Sequence, residues 1–390
     1  LANIPGTSVD KIEVITNPSA KYDAQGGAII NIKTSKPANL GTNGTYTAGI
    51  GMGKYAKYNT GITLNHRSKT TNIYGSYNFD HNAPYNTDSH IQQVNGFPGK
   101  ISEDERSTDK KNSQSFKLGL DHDFNKNNSA GILFKGNVNY KDMLVFNRSV
   151  AYTLSQQQED SSSTVNTNGN ASVFSPSVNV YYRSVLNKKG GELNLNADWF
   201  IYSKKWKEDF VTNYFLPDGS FDKAPTYLRD NSPADNNVRS FAADYSQPIT
   251  KGKLEAGIKT TFTKTDNNVL WENKLNNTWV TDTGKTNRFI YRENINAAYI
   301  SINKAAGKYN LTGGLRAEQT NTSGDLSTQR TDKTNYINLF PNFSAVYIKD
   351  AKNMFIFNYK KSIVRYGFNY VNPFITYQSQ YSYSQGNPYL

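Results

Sequence analysis

Apolar and polar residues alternate one for one along most of this chain, and that period leaves few folds open. Tyr46, Ala48, Ile50 and Met52 share one face of an extended segment, with Thr45, Thr47, Gly49 and Gly51 on the other. Phe116, Leu118 and Leu120 alternate in the same way with Lys117, Gly119 and Asp121. Leu193, Leu195, Ala197 and Trp199 stand opposite Asn194, Asn196 and Asp198, and Leu254, Ala256 and Ile258 opposite Glu255, Gly257 and Lys259. No segment of ten or more residues carries an i, i+3, i+4, i+7 stripe. The pattern predicts an all-β protein.

Composition decides which all-β classes survive. The absence of Cys removes disulfide scaffolds, Cys-ligated zinc and thiol nucleophiles. No run approaches ~18 consecutive apolar residues, which excludes membrane-spanning helices. A mean hydropathy of −0.70 would suit a disordered chain, but an aromatic content of 13% argues against one. A β-barrel tolerates such polarity in a membrane, because only alternate residues of a ~10-residue band touch lipid. The net charge of +12 comes from scattered Lys and Arg with no basic helix or stripe, so nucleic acid is not an expected partner.

A soluble sandwich would alternate in the same way, so strand length and connection length have to separate the two. The stretch from Ser129 to about Tyr152 contains no turn cluster, far beyond the ~5–6 residues usual in soluble sheets. Short turns fall near Arg67–Thr70, Asn125–Asn128, Asn187–Gly191, Thr250–Gly252, Lys304–Lys308 and Lys349–Asn353. Between them lie long polar tracts: Asn82–Lys111, Gln156–Asn170, Lys204–Asn237, Thr265–Lys285 and Gln319–Thr334. That parity predicts a transmembrane antiparallel β-barrel with short turns on one side and long loops on the other, and about 13 strands. Lipid is the first expected partner. Lys69, Lys126, Lys188 and Lys251 are among the lysines beside the short turns, where they suit solubility and edge protection.

Three motifs toward the ends of the chain carry a family resemblance. Val9 to Lys33 includes Ile12-Glu13-Val14, then Asn17-Pro18, Tyr22, Gly26-Gly27 and Ile30-Asn31-Ile32. This order resembles the end of the plug domain in TonB-dependent outer-membrane receptors. Thr16-Asn17 stand where relatives often carry Arg-Gly, so the plug–barrel ion pair made by that Arg has no counterpart at Thr16. Asn338-Leu339-Phe340-Pro341, then Tyr370-Val371-Asn372-Pro373-Phe374 and Gly386-Asn387-Pro388-Tyr389-Leu390, are similar to segments of the Bacteroidetes-type "outer membrane β-barrel" branch. Arg365-Tyr366 stand where that branch usually has Arg-Pro.

The resemblance implies a plug and a barrel of roughly 22 strands, too wide for its own side chains to fill. Residues 1–36 would be the end of the plug, and 37–390 part of the barrel. The abrupt ends at Leu1 and Leu390 read as those of an internal piece. The short apolar runs Ile12 to Ile15 and Ala28 to Ile32 suit strands buried in a small domain. The implied function is active import of a siderophore, glycan, peptide or similar nutrient across the outer membrane of a Gram-negative bacterium. Energy would come from a TonB complex acting on a segment absent from this sequence, and some relatives carry a surface lipoprotein as a lid. The alternative is a plugged barrel that serves as scaffold in a secretion or surface-assembly complex. Neither reading needs a cofactor or catalysis.

Ligand contacts are expected where outer loops meet the plug. The plug loop offers Asn17, Tyr22, Asp23 and Gln25, and the outer loop Tyr366, Tyr370 and Tyr377, with Tyr381 and Tyr383 beyond. Tyr combines a flat apolar face with a hydrogen-bonding tip, which suits sugars, peptides and aromatic chelates. Trp199, Tyr202 and Trp206 read as aromatic girdle residues near strand ends. Asp80, His81, Asp88 and His90 lack metal-ligand spacing and read as solvated loop residues. Nothing resembles a G-x-S-x-G nucleophile elbow.

Overall fold

The computed structural model describes residues 9–15, 18–26, 28–34, 40–93, 99–153, 159–326, 333–365, 368–374, 376–379 and 382–387. Strands β1 (Val9–Ile15) and β2 (Ile29–Thr34) pair antiparallel as a separate two-stranded sheet. The wall follows as β3 (Gly41–Met52), β4 (Ala56–Arg67), β5 (Thr71–Asn82), β6 (Tyr85–Gln92), β7 (Gly99–Asp123), β8 (Asn128–Thr153) and β9 (Glu159–Val185). It continues through β10 (Glu192–Phe215), β11 (Phe221–Asn231), β12 (Ala234–Ile249), β13 (Gly252–Leu275), β14 (Thr278–Thr281) and β15 (Asn287–Ala306). Strands β16 (Tyr309–Leu326), β17 (Thr334–Ile348) and β18 (Met354–Lys360) complete it. A single turn of helix, α1 (Phe368–Val371), and a small hairpin of β19 (Thr376–Ser379) and β20 (Ser382–Ser384) come last.

All wall strands pair antiparallel in one sheet, whose hydrogen-bonded path passes through thirteen strands from β3 to β18. This is the predicted all-β architecture of a transmembrane barrel. Two wall positions are broken by proline, which cannot donate to the ladder. Pro84 separates β5 from β6 and Pro233 separates β11 from β12, and each keeps its carbonyl in use, accepting from Asp109 N and Asn268 N respectively.

The short turns are built by local side chains. Asn125, Asn187 and Asp350 each accept backbone N–H groups two to three residues on, in the Asx-turn manner. Lys251 and Gly307 take positive φ of 55° and 60° in the tightest connections.

The long polar tracts depart from the sequence expectation. They are mostly strand rather than loop: β6 pairs with β7 from Tyr85↔Thr108 to Gln92↔Ile101, and β10 pairs with β11 from Lys207↔Asn231 to Phe215↔Phe221. Within Thr265–Lys285 a two-residue turn at Asn276-Asn277, both at positive φ, folds β14 back on β13. Backbone pairing needs no apolar face, so these hairpins continue the ladder where both sides are wet. Trp199, Tyr202 and Trp206 consequently lie in the middle of β10, not near its end.

The two faces differ in kind. One carries the alternating apolar residues, bare to the surroundings: Ile50 is 94% exposed, Ile258 63% and Phe355 61%. That is the lipid-facing side. The opposite face is polar, and residues 18–26, 363–365, Val371 and Phe374 pack against it. The largest apolar cluster, Val269, Trp271, Phe289, Val371 and Phe374, sits on this inner side.

The β1–β2 hairpin also departs from expectation. Ile12, Val14 and Ile30 are 55–63% exposed rather than buried. With only two strands among the described residues, the hairpin has no third layer to cover its apolar side. The loop between its strands, not the hairpin itself, makes the close contact with the wall.

Candidate functional site

The junction begins with small residues. Gly314 on β16 lacks a side chain where a Cβ would lie 2.9 Å from Ala20 Cβ and 2.3 Å from Asn342 Oδ1. That gap lets the 18–26 loop settle on the wall, with Ala20 and Ala24 both buried. Two and four residues further along β16, on the same face, stand Arg316 and Glu318, 2% and 1% exposed, followed by Thr320. A guanidinium and a carboxylate buried this deeply must be paired.

The pairing ties three segments together. Arg316 Nε donates to Glu318 Oε1 at 2.5 Å, and Arg316 Nη2 to Asp23 Oδ1 at 2.9 Å. Arg316 Nη1 also reaches the carbonyls of Ala20 and Lys21, each at 3.5 Å. Glu318 Oε1 accepts the backbone N–H of Ala24 at 3.2 Å, and its other oxygen accepts from Arg365 Nη2. Arg365 also donates to Thr320 Oγ1 at 3.3 Å. Glu318 is therefore the hub between the loop, the wall and the segment that follows β18.

Other contacts surround this hub. Lys259 Nζ on β13 donates to Asp23 Oδ2 at 2.7 Å, and Lys360 Nζ to the Gly26 carbonyl at 3.2 Å. Lys21 Nζ lies 3.8 Å from Asp244 Oδ2, whose other oxygen accepts the Tyr299 hydroxyl at 2.5 Å. Gln25 forms a parallel bridge with Ile363, and Ile363 N donates to Ala24 O at 3.2 Å. Satisfaction is incomplete: Asn342 Oδ1 and Arg365 Nε are buried without a hydrogen-bond partner.

Val371 and Phe374 enter the cluster of Val269, Trp271 and Phe289, with Phe210, Leu228, Tyr291 and Leu326 packed around it. The two late sequence motifs meet here. Gly386 N donates to Asn372 O, Asn387 N to Tyr370 O, and Gln385 Nε2 to Pro373 O at 2.8 Å.

Among the residues predicted for ligand contact, Tyr22, Asp23 and Gln25 come together on the docked loop, and Tyr370 lies on α1 with 66% of its surface exposed. Asp23 is committed to Arg316 and Lys259. Tyr377 is placed on β19, and Asn17, Tyr366 and Tyr381 lie outside the described residues. Arg316, Glu318, Arg365 and Lys259 were missed by sequence reasoning. Arg316 and Glu318 gave one signal, opposite charges at alternate positions directly after Gly313-Gly314, and Arg365 stands in the late motif. Of the histidines, His81 bonds Asn112, while His90 sits between Asp88 and the buried Glu103.

A family model described as "Outer membrane protein beta-barrel family" matches residues 184–390. No curated protein matches. Among solved structures, the outer membrane protease OmpT of Escherichia coli is 12% identical, covering 72% of this chain and 96% of its own, with a TM-score of 0.25. The ferric yersiniabactin uptake receptor FyuA of Yersinia pestis is 9% identical, covering 90% and 72%, with a TM-score of 0.29. A mutant of the ferric enterobactin receptor PfeA of Pseudomonas aeruginosa is 10% identical, covering 89% and 80%, with a TM-score of 0.23.

Proposed function

Because this chain belongs to the outer membrane protein β-barrel family and so resides in the outer membrane, we propose that it forms part of a TonB-dependent importer. In this reading residues 1–36 end the plug and 37–390 are barrel wall. The observation that carries it is the docked 18–26 loop. It is held to the inner wall through a few charged groups, Asp23, Arg316, Glu318 and Lys259, and not by a broad apolar interface. Bonds of that kind are directional and are replaced by water once separated. A pull on the chain ahead of β1 therefore breaks them in sequence and leaves the backbone-bonded wall intact.

Cargo would be a siderophore, glycan, peptide or similar nutrient. Tyr22, Gln25 and Tyr370 are the exposed groups placed to touch it. The chain moves cargo and performs no covalent chemistry on it.

The test uses the absence of cysteine from these 390 residues. In the full-length protein, Gln25→Cys with Ile363→Cys places two thiols on segments already joined by a β-bridge. Force applied to the N-terminal side of the liposome-embedded protein should extract residues 9–36 while the barrel holds, and oxidation of the cysteine pair should abolish that step. Rupture of loop and barrel in one event would overturn the reading. Nutrient uptake by cells that is unchanged by the oxidised pair would favour the scaffold alternative.

A further inference from the structure

The lipid-facing side of the wall carries a concavity of about 770 Å³ across β9 to β17. Register explains it. One cross-strand row reads Leu195, Ala243, Ile258, Ala298, Ala317. The next row, toward the long hairpins, reads Ala197, Phe241, Thr260, Asn296, Gln319, Ile337. Four alanines fall where neighbouring positions carry Leu, Ile or Phe, and the missing side-chain volume is the floor of the groove. Ile258 and Ile337, 63% and 68% exposed, rise beside it.

The groove ends where the face turns polar. Thr260 Oγ1 donates to Asn296 Oδ1 at 2.7 Å, and Asn296 Nδ2 to Asn294 Oδ1 at 2.8 Å. An amide has two N–H donors and this bond takes one of those on Asn296. One row further out, Asn294, Asn321 and Asn335 stand in line on adjacent strands. Cations come next: Arg239 is on that same row with its guanidinium 6.0 Å from the Trp199 ring, and Lys264 is on the following one beside Arg292, which is itself paired with Asp325. Lys264 is four residues from Thr260, about 13 Å along a strand. Apolar groove, amides and cations therefore succeed one another over the length of a lipid's junction between chains and headgroup, on the side that faces the outer leaflet.

We propose that this groove binds one phosphorylated, acylated glycolipid of the outer leaflet. An acyl chain lies on the alanine floor, its linking carbonyl meets Asn296, sugar hydroxyls meet the Asn294–Asn321–Asn335 row, and a phosphate meets Lys264 and Arg239. The asparagine row favours a sugar over a phosphoglycerol, which has fewer hydroxyls to meet it. The site depends on the chain's place in the outer membrane and not on import, so the two readings fail separately.

The full-length protein in detergent would be titrated with three probes: a bisphosphorylated acylated diglucosamine, its dephosphorylated form and phosphatidylglycerol. Native mass spectrometry reads bound lipid, and electrophoretic mobility without boiling confirms a folded barrel. The bisphosphorylated probe should bind at one per chain. Ala298→Leu with Ala317→Leu, which fills the floor, should weaken it about tenfold or more. Lys264→Gln with Arg239→Gln should weaken it about tenfold at low salt and leave the dephosphorylated probe unchanged. Equal binding of all three probes, or wild-type affinity in the filled groove, would overturn the proposal. So would a dimer of the wild-type protein that the filled groove abolishes, since a second copy would then be the occupant.

Discussion

Two segments lie against the inner wall and are held there by different physics. Residues 18–26 are seated by charge: Asp23, Arg316, Glu318 and Lys259, with Gly314 giving them room. Residues 368–374 are seated by apolar area, with Val371 and Phe374 buried against Val269, Trp271 and Phe289. The first attachment is sensitive to single charges and short-ranged. The second is non-directional and scales with buried surface. A segment meant to leave and return suits the first kind, and one meant to brace the wall suits the second.

The largest expected effect comes from the hub. Glu318→Ala leaves Arg316 and Arg365 buried without their shared carboxylate, a loss of about 3–5 kcal/mol by analogy with broken buried pairs. Hydrogen exchange at Ala24 should rise steeply while β19 and β20 stay unchanged; equal loosening of both would erase the distinction drawn here. Phe374→Ala should cost about 3 kcal/mol and should be indifferent to salt. It should shift Trp271 fluorescence to the red and leave Ala24 protected. Asp23→Asn should cost less, below about 1 kcal/mol, because Asp23 is half exposed. Added salt should mimic this change at Ala24, and a salt-insensitive wild-type loop would count against a charge-based seat.

The pH-dependent effect concerns the upper hairpin of β10 and β11, well past the ~10 residues that β10 needs to cross lipid. Glu208 and Asp230 face each other there in register. Burial raises the Asp230 carboxyl from 3.8 to about 6, with the charge of Glu208 adding to it, and burial raises Glu208 in the same direction. A raised carboxyl binds more protons folded than unfolded, so this hairpin loses stability as pH rises through about 6 and regains it on acidification toward 4. Asp230→Asn should flatten most of that dependence in the exchange of β11 amides. An opposite slope would show that the neighbouring Lys204 dominates the pair.

Much of the wall was legible in the sequence. Period-2 alternation fixed which residues of Leu193 to Trp199 face lipid, and the side chains of Asn125, Asn187 and Asp350 announced turns. The long tracts were harder. In Tyr85–Gln92 nearly every residue is exposed, so no apolar face marks the strand, and only pairing with β7 makes it one. The junction was harder still. Arg316 and Glu318 read as ordinary residues of a strand's wet face, and nothing near them in sequence says that Asp23, 293 positions away, will bury them. The segment around Phe374 gave a mixed cue: its tyrosines read as a binding loop, whereas Val371 and Phe374 are buried against β13 and β15.

The length of the wall strands has a consequence of its own. β9 holds 27 residues, about 90 Å of extended chain, and a tilt near 45° still raises it roughly 60 Å. The lipid band takes about 25 Å of that. The remainder is a laced parapet standing above the membrane, braced by cross-strand hydrogen bonds and not left as a brush of free loops. Whatever approaches the cell meets a stiff collar first, one whose opening is already shaped before contact. Little conformational entropy is then left to be lost on capture.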